Sequence, residues 1–311
     1  MNRCPITYHE CGNRKYSKEG LRLLSAHLTK EPDFPYSAAE QLSLAASYST
    51  KLSIAGVQPK LSVRLNVPEH KFEVVERGGT YIVKPPHPFY VEIPENEDLT
   101  MRLAKFSGID VPFHCLIWGP DGSLSYFIKR FDRYGHGKTH GLEDFAQLSK
   151  HKRDTKYESS MEKLVPIIEE HCSFPVLDKV KLFRITLFCF LVGNEDMHLK
   201  NFSLISRADK VELSPSYDLI NTTIVINGDE EFALPINGKR SKITREILCD
   251  YYGRERLGLN EKVIEKEVDE LLQATKGWAD LIHNSLLSVG MQKKYISLIN
   301  ERICRLFGYI Q

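Results

Sequence analysis

Ahead of Arg133, apolar positions mostly alternate with polar ones, the period-two signature of strands; beyond it they recur at three- and four-residue spacing, the signature of helices. Leu21, Leu24 and Leu28 first mark a helical stripe over Ser17 to Leu28, before the turn-rich Pro32-Asp33-Phe34-Pro35. Strands are then predicted over Leu61 to Leu65, Phe72 to Val75 and Thr80 to Val83, the last running into Lys84-Pro85-Pro86. A helix over Asn96 to Ser107 ends at Gly108, and strands Phe113 to Trp118 and Ser125 to Ile128 flank the turn Gly119-Pro120-Asp121-Gly122. Helices follow over Met161 to His171, Leu177 to Gly193, Arg245 to Tyr252, Glu261 to Leu287 and Gln292 to Phe307, interrupted by strand-like Phe202 to Ser206 and Val211 to Leu213. Strands first and helices after predict a bilobal α+β plan, with a ligand in the cleft between the parts.

Composition narrows the classes. In 311 residues, 42% hydrophobic positions describe a folded globular chain, not a disordered one. Lys+Arg 42 against Asp+Glu 41 leaves a formal charge of +1, so no global field draws the chain to nucleic acid or membrane, and direct DNA binding is not expected. Several of the seven cysteines lie in apolar runs, as Cys189 does in Leu187-Phe188-Cys189-Phe190-Leu191, which favours reduced, buried thiols. No secretory signal core opens the sequence, and the apolar run Ile185 to Val192 is far short of the ~20 residues of a spanning helix. A soluble, cytoplasmic protein without membrane association is expected.

The candidate chemistry is phosphoryl transfer, which needs a carboxylate for the attacking hydroxyl, oxygen ligands for Mg²⁺, a cation on the phosphates and a backbone cover. Asp196 and Asn201 stand five residues apart, the kinase spacing of base and metal-binding Asn, and Asp218 lies seventeen further on, past a strand pair. An Asn and an Asp suit Mg²⁺, which takes few carboxylates beside phosphate and water. The same residues after an apolar helix also serve as ordinary turn formers, and His198 as an ordinary structural histidine. Lys200 is a candidate for a phosphate. Lys84, at a strand end, is the candidate for the ATP phosphates or else a surface lysine; Glu97 is its candidate ion-pair partner, with Glu92 and Glu95 in competition. Ser53-Ile54-Ala55-Gly56-Val57-Gln58-Pro59-Lys60 holds a single glycine and lacks both the kinase glycine triplet and the Walker pattern.

In company these segments carry more. The Ser53 to Lys60 loop, the Val83-Lys84-Pro85 strand end, Phe127-Ile128-Lys129-Arg130-Phe131-Asp132-Arg133, Gly193-Asn194-Glu195-Asp196-Met197-His198-Leu199-Lys200-Asn201 and Tyr217-Asp218 occur in the order found in HipA-like serine/threonine kinases, the toxins of bacterial toxin–antitoxin modules. The chain resembles that family from about Ser53 to Asp218. The resemblance implies a protein-kinase-like fold: a strand-rich N-lobe (1–128), a hinge (129–133) and a helical C-lobe (134–311), with ATP between the lobes. It implies Asp196 as catalytic base, Asn201 and Asp218 as Mg²⁺ ligands, and Lys84 on the ATP phosphates. Ala55, Gly56, Val57, Gln58, Pro59 and Lys60 would cover ATP, and the backbone of Lys129, Arg130 and Phe131 would meet adenine. His198, Lys200 and Tyr217 would line the nucleotide site. Ser53 would be autophosphorylated, and about two added negative charges would expel the loop from the phosphates.

Only fifty-two residues precede Ser53, fewer than the additional N-terminal subdomain of full-length HipA toxins requires. In this the chain resembles the short HipT-type kinases of three-gene modules. That implies a DNA-binding HipB-like antitoxin and a small HipS-like subunit as partners, and an aminoacyl-tRNA synthetase as substrate. A small-molecule kinase of the aminoglycoside or choline kinase type is the chief alternative, although Gly193-Asn194-Glu195-Asp196 stands where those enzymes show His-x-Asp; a pseudokinase is the other. Cys4, His9 and Cys11 lack a usual structural-zinc spacing. The basic segment Tyr134 to Lys156, with His136, His140 and His151, reads as a solvated loop or as an activation-like segment, with Asp144 and Gln147 nearest the cleft. Lys239-Arg240-Ser241-Lys242 reads as a surface turn.

Overall fold

The computed structural model describes residues 2–49, 58–135, 137–150, 155–226 and 228–308. Ser53, Ala55, Gly56 and Val57 of the candidate cover loop, and His136 and His151, lie outside the described residues. The chain divides into two compact units. Met1–Leu99, Pro112–Arg133 and Asn284–Ser288 make the first, and Thr100–Val111, Tyr134–His283 and Val289–Gln311 the second.

The first unit opens with a hairpin, β1 (Asn2–Arg3) and β2 (Glu10–Gly12), and two helices, α1 (Lys18–Leu24) and α2 (Ala38–Ser49). Ser17 caps α1 by accepting the Gly20 N–H, and the extended Ser25 ends it a turn short of the predicted Leu28. The Ala- and Ser-rich α2 carries little apolar periodicity and escapes a pattern reading; its buried Gln41 accepts a hydrogen bond from Ser125 at 2.8 Å. Five antiparallel strands follow: β3 (Leu61–Asn66), β4 (Lys71–Val74), β5 (Tyr81–Lys84), β6 (His114–Trp118) and β7 (Leu124–Lys129), in the order β4-β3-β5-β7-β6. Their alternation puts Leu61, Val63, Phe72, Val83 and Phe127 in the core, where Phe72 and Phe127 rings lie 4.9 Å apart and Phe34 stands edge-on to Phe127 at 5.1 Å. Between β5 and β6 runs α3 (Ile93–Phe106), begun one turn ahead of its prediction.

Past a short ribbon, β8 (Arg133–Tyr134) and β9 (Lys138–Thr139), the segment expected as loop or activation-like contains β10 (Gly141–Asp144) and a one-turn helix, α4 (Phe145–Leu148). β10 is the outer strand of a sheet with β11 (Ser203–Arg207) and β12 (Lys210–Leu213), paired Asp144 to Ser203 and Leu204 to Leu213. The second unit is built on α5 (Leu164–His171) and α6 (Pro175–Val192), the latter buried at every position from Leu182 onward except Arg184. It also holds α7 (Glu261–Thr275), α8 (Trp278–Asn284) and α9 (Val289–Phe307). The single helix predicted over Glu261 to Leu287 is broken between α7 and α8, where Gly277 lets the Phe106 ring approach; a Cβ there would stand 2.6 Å from Phe106 Cζ. In place of an α-helix over Arg245 to Tyr252, a π-helix runs Glu246–Arg256, with Gly253 against Phe183. Among the described residues no helix is long and apolar enough to cross a membrane.

Candidate active site

The loop after α6 is shaped by its own main chain. Gly193 adopts φ 69°, a left-handed helix stop that only glycine takes freely. There is also no room for a side chain, since a Cβ would stand 2.5 Å from Leu298 Cδ2 and 2.6 Å from Thr223 Oγ1. The Gly193 carbonyl accepts the Thr222 and Thr223 N–H groups at 3.0 and 3.2 Å, and Thr222 Oγ1 accepts the Glu195 N–H at 2.8 Å. Buried Asn194 accepts the Asp196 N–H at 3.2 Å. The loop is thereby pinned to the stretch that follows Asp218 before it reaches Asp196. The pinning residues Thr222 and Thr223 carry no sequence signal, being ordinary hydroxyls remote along the chain.

Asp196 then organises the next turn. Its carbonyl accepts the His198 N–H at 2.9 Å and the Asn201 Nδ2 at 2.8 Å, so the five-residue spacing closes into a compact turn. Using its amide nitrogen this way leaves Asn201 its Oδ1 oxygen as a donor for a cation. Burial pushes His198 below the usual imidazole range, while the negative charges of Asp196 and Asp218 pull the other way. Tyr217 braces the turn from beneath, its hydroxyl donating to the Lys200 carbonyl at 2.9 Å and lying 2.5 Å from Ser203 Oγ; burial pushes the phenol upward. Asp218 follows at φ 55°, a sparsely populated conformation for a non-glycine residue.

Lys200, a candidate for phosphate contact, is held by Asp144 at 2.8 Å. Asp144 also caps α4, taking the Gln147 N–H on its other oxygen. More informative is a pair that sequence reading passed over. Tyr157 donates its hydroxyl to Asp196 Oδ1 at 2.7 Å, and Lys156 Nζ lies 2.7 Å from His198 Nε2. Burial and the neighbouring Asp196 raise the Tyr157 phenol. The segment read as loop or activation-like thus ends against the candidate base.

In the first unit, Lys84 and Glu97 form an ion pair of 2.5 Å, at 5% and 1% side-chain exposure. A charge so buried is tolerated only with its partner in place, and removing one member of such a pair costs roughly 3–5 kcal/mol. Beside it, Asp98 accepts the Tyr8 hydroxyl at 2.7 Å and lies 2.7 Å from His114 Nδ1. Of the candidate cover loop, the described part is Gln58, Pro59 and Lys60. Gln58 Nε2 is buried with no hydrogen-bond partner among the described residues. In the candidate hinge, the Lys129 N–H donates to Phe113 O at 2.8 Å and the Arg130 N–H to Thr80 O at 2.9 Å. The main-chain N–H groups of those two residues are thus already engaged, so a main-chain contact to adenine would use their carbonyl oxygens. The Arg130 guanidinium grips Asp132 through two bonds of 3.0 and 2.6 Å; against burial, Arg130 and Arg133 hold that carboxylate below its usual range. Cys4 is buried, and Cys11 Sγ lies 3.3 and 3.1 Å from the Asn2 and Arg14 carbonyl oxygens, its one S–H able to serve either.

Among the described residues no group of three or more His, Cys, Asp and Glu side chains is placed to hold a metal alone. Asn201 and Asp218 each offer side-chain oxygen, the ligand chemistry Mg²⁺ accepts when phosphates and water complete its shell. The residues present fit that ion.

Residues 52–279 match the family described as the HipA-like C-terminal domain. A Haemophilus influenzae protein named provisionally as a kinase is 30% identical over 285 residues, covering 83% of this chain and 82% of that protein. A Sinorhizobium fredii protein, likewise named provisionally as a kinase, is 33% identical over 70% of this chain and 56% of its own length. The serine/threonine-protein kinase toxin HipA of Shewanella oneidensis is 31% identical over 60% of this chain, which spans only 47% of that toxin. Among solved structures, the Shewanella oneidensis HipA complex with HipB and operator DNA superposes with a TM-score of 0.71 at 24% identity, covering 91% of this chain and 74% of that one. The Helicobacter pylori proinflammatory kinase CtkA superposes at 0.53 and 14% identity, covering 76% and 90%. These two likenesses concern the fold, which is the α+β, kinase-like arrangement of a strand-rich and a helical unit.

Proposed function

The chain belongs to the HipA-like C-terminal domain family, and from that premise we propose that it is an ATP- and Mg²⁺-dependent serine/threonine protein kinase acting as the toxin of a toxin–antitoxin module. One observation carries the catalytic part of this reading. The Asp196 carboxylate, in a turn closed by Asn201, already accepts a hydroxyl hydrogen bond at 2.7 Å, the contact a general base makes with its acceptor.

In the reaction the acceptor hydroxyl donates to Asp196, its oxygen attacks the γ-phosphorus, the bond from phosphorus to the bridging oxygen breaks, and ADP leaves. A phosphoester forms, and the proton passes by way of Asp196 to solvent. Mg²⁺, held by Asn201 and Asp218, would neutralise charge on the phosphates. Lys84, fixed by Glu97, holds the non-transferred phosphates; Ala55, Gly56, Val57, Gln58, Pro59 and Lys60 cover them, with the buried Gln58 amide supplying a donor. Lys129, Arg130 and Phe131 meet adenine through carbonyl oxygens and the Phe131 ring. His198 and Tyr217 line the nucleotide site, and Lys200, paired with Asp144, is the candidate for a phosphate contact.

The finer reading is a HipT-type toxin of the cytoplasm that autophosphorylates on Ser53, pairs with a DNA-binding HipB-like antitoxin and a small HipS-like subunit, and phosphorylates an aminoacyl-tRNA synthetase. HipB-like partnership is supported by the HipA, HipB and operator DNA complex of the structural neighbour, and protein over small-molecule substrates by the family. The test is transfer of label from γ-labelled ATP in a cell extract, followed by identification of the labelled species. Asp196→Asn should lower transfer by about 10²–10⁴-fold with ATP affinity nearly unchanged. A variant that kept its rate would remove Asp196 as base, and a labelled metabolite would select the small-molecule alternative.

A further inference from the structure

The hydroxyl on Asp196 belongs to the protein itself, and it is held there by more than one bond. Tyr157 O–H donates to Asp196 Oδ1 at 2.7 Å while the Tyr157 ring stands edge-on to His198, 5.1 Å between centroids and 84° between planes. Lys156 adds its Nζ at 2.7 Å from His198 Nε2 and 4.7 Å above the Tyr157 ring. Main-chain bonds fix both residues: the Leu199 N–H donates to Lys156 O at 3.3 Å, and Arg240 donates to Tyr157 O at 3.3 Å. Arg240 is itself tied to the Ala233 carbonyl. The two-residue step Lys156-Tyr157 is therefore docked along the Asp196 to Leu199 turn, on one oxygen of the candidate base.

A phenol in that position resembles an acceptor in one respect and differs in another. It offers the same O–H donor at the same distance a serine hydroxyl would use, and a carboxylate oxygen that already accepts a short hydrogen bond is a poorer acceptor for a second. Tyr157 is 39% exposed, so it is not part of a core whose removal would unfold the unit. Its raised phenol keeps the proton on the tyrosine, and the contact is one of occupancy, not of transfer.

We infer that Tyr157 is an intrasteric occupant of the acceptor position: its hydroxyl holds the place of the substrate hydroxyl on Asp196, and a productive acceptor must displace it. This rests on Asp196 being the base. The occupant sets a threshold for substrates. Water and loosely bound hydroxyls compete poorly with a tethered phenol, whereas a protein acceptor docked elsewhere on the chain brings its serine at a high effective concentration. Wasteful hydrolysis of ATP is suppressed as a consequence.

The experiment uses the purified full chain with Mg²⁺–ATP alone, water being the acceptor, and reads initial rates of ADP release. Tyr157→Phe keeps the ring on His198 and removes only the hydroxyl. It should raise the rate about tenfold, the scale of one hydrogen bond to a charged group, with the KM for ATP within twofold of the parent. Lys156→Met, which loosens the segment while leaving the hydroxyl in place, should raise it by less. A Tyr157→Phe rate equal to the parent's would overturn the inference. So would a rate that fell at unchanged KM, because the hydroxyl would then be supporting the carboxylate and not obstructing it. Asp196→Asn is run beside them. If it keeps the parent rate, the base assignment fails whatever Tyr157→Phe does; if it loses the rate, the Tyr157→Phe result decides the occupant role alone.

Discussion

Three glutamates compete along the chain for Lys84, and the fold gives each a different environment. Glu97 takes the lysine at 2.5 Å. Glu92, at φ 56°, accepts the Ser288 N–H at 2.7 Å. Glu95 is left on the buried first turn of α3, where desolvation pushes its carboxyl up to about 7, its own backbone N–H opposing and the charges of Glu92 and Asp98 adding to the rise. Between its ordinary value near 4.5 and about 7, the folded chain keeps a proton that the unfolded chain has released. The group's stabilising contribution is therefore complete below about pH 4.5 and is lost as pH rises through about 7. Glu95→Gln removes that dependence. Urea unfolding at several pH values should show the parent losing on the order of 1–3 kcal/mol between pH 5 and 8 relative to the variant; parallel profiles would mean the carboxyl titrates normally.

At the scale of elements, the candidate site is an extension of α6. An apolar helix ending at a glycine is visible in sequence because both signals are local: the Leu182 to Val192 run must be buried, and Gly193 must stop it. Asp196 and Asn201 are legible for the same reason, since their spacing spans one turn. Tyr157 was not legible, because its partner lies 39 residues away and no local period marks a docking step. Nor were β10, a strand of mixed polarity completed by β11, or α2, whose Ala and Ser residues give no stripe. Gly193 itself can be tested as the joint between helix and loop. Gly193→Ala forces a left-handed alanine and drives its Cβ at Leu298 and Thr223. Chemical denaturation should show a loss of roughly 2–4 kcal/mol, and because Thr222 and Thr223 hold the Gly193 carbonyl, ADP release should fall with it. An alanine variant as stable as the parent would mean that the loop relaxes and that its pinning is not what fixes Asp196.

For the whole molecule, the proposed roles are divided between units with separate cores: Lys84 and Glu97 belong to the first, and Asp196, Asn201 and Asp218 to the second. If one nucleotide uses both sets, substitutions in the two sets gain a coupling when Mg²⁺–ATP binds, because either loss leaves the remaining groups a ligand held less firmly. A double-mutant cycle measures this. Lys84→Met is paired with Glu97→Gln, so that no buried carboxylate is stranded, and combined with Asp218→Asn. Without nucleotide, the same cycle on thermal stability measures the coupling the free protein carries, and only the excess over it is ascribed to the ligand. On Mg²⁺–ATP affinity by calorimetry, the first pair should cost roughly 10–100-fold through the lost charged contact to phosphate. Asp218→Asn should erase most of the difference between titrations with and without Mg²⁺. The combined variant should lose less than the product of the two, by about tenfold. Strict additivity on affinity would show that Lys84 and Asp218 do not serve one ligand, and would separate the ion pair of the first unit from the chemistry of the second.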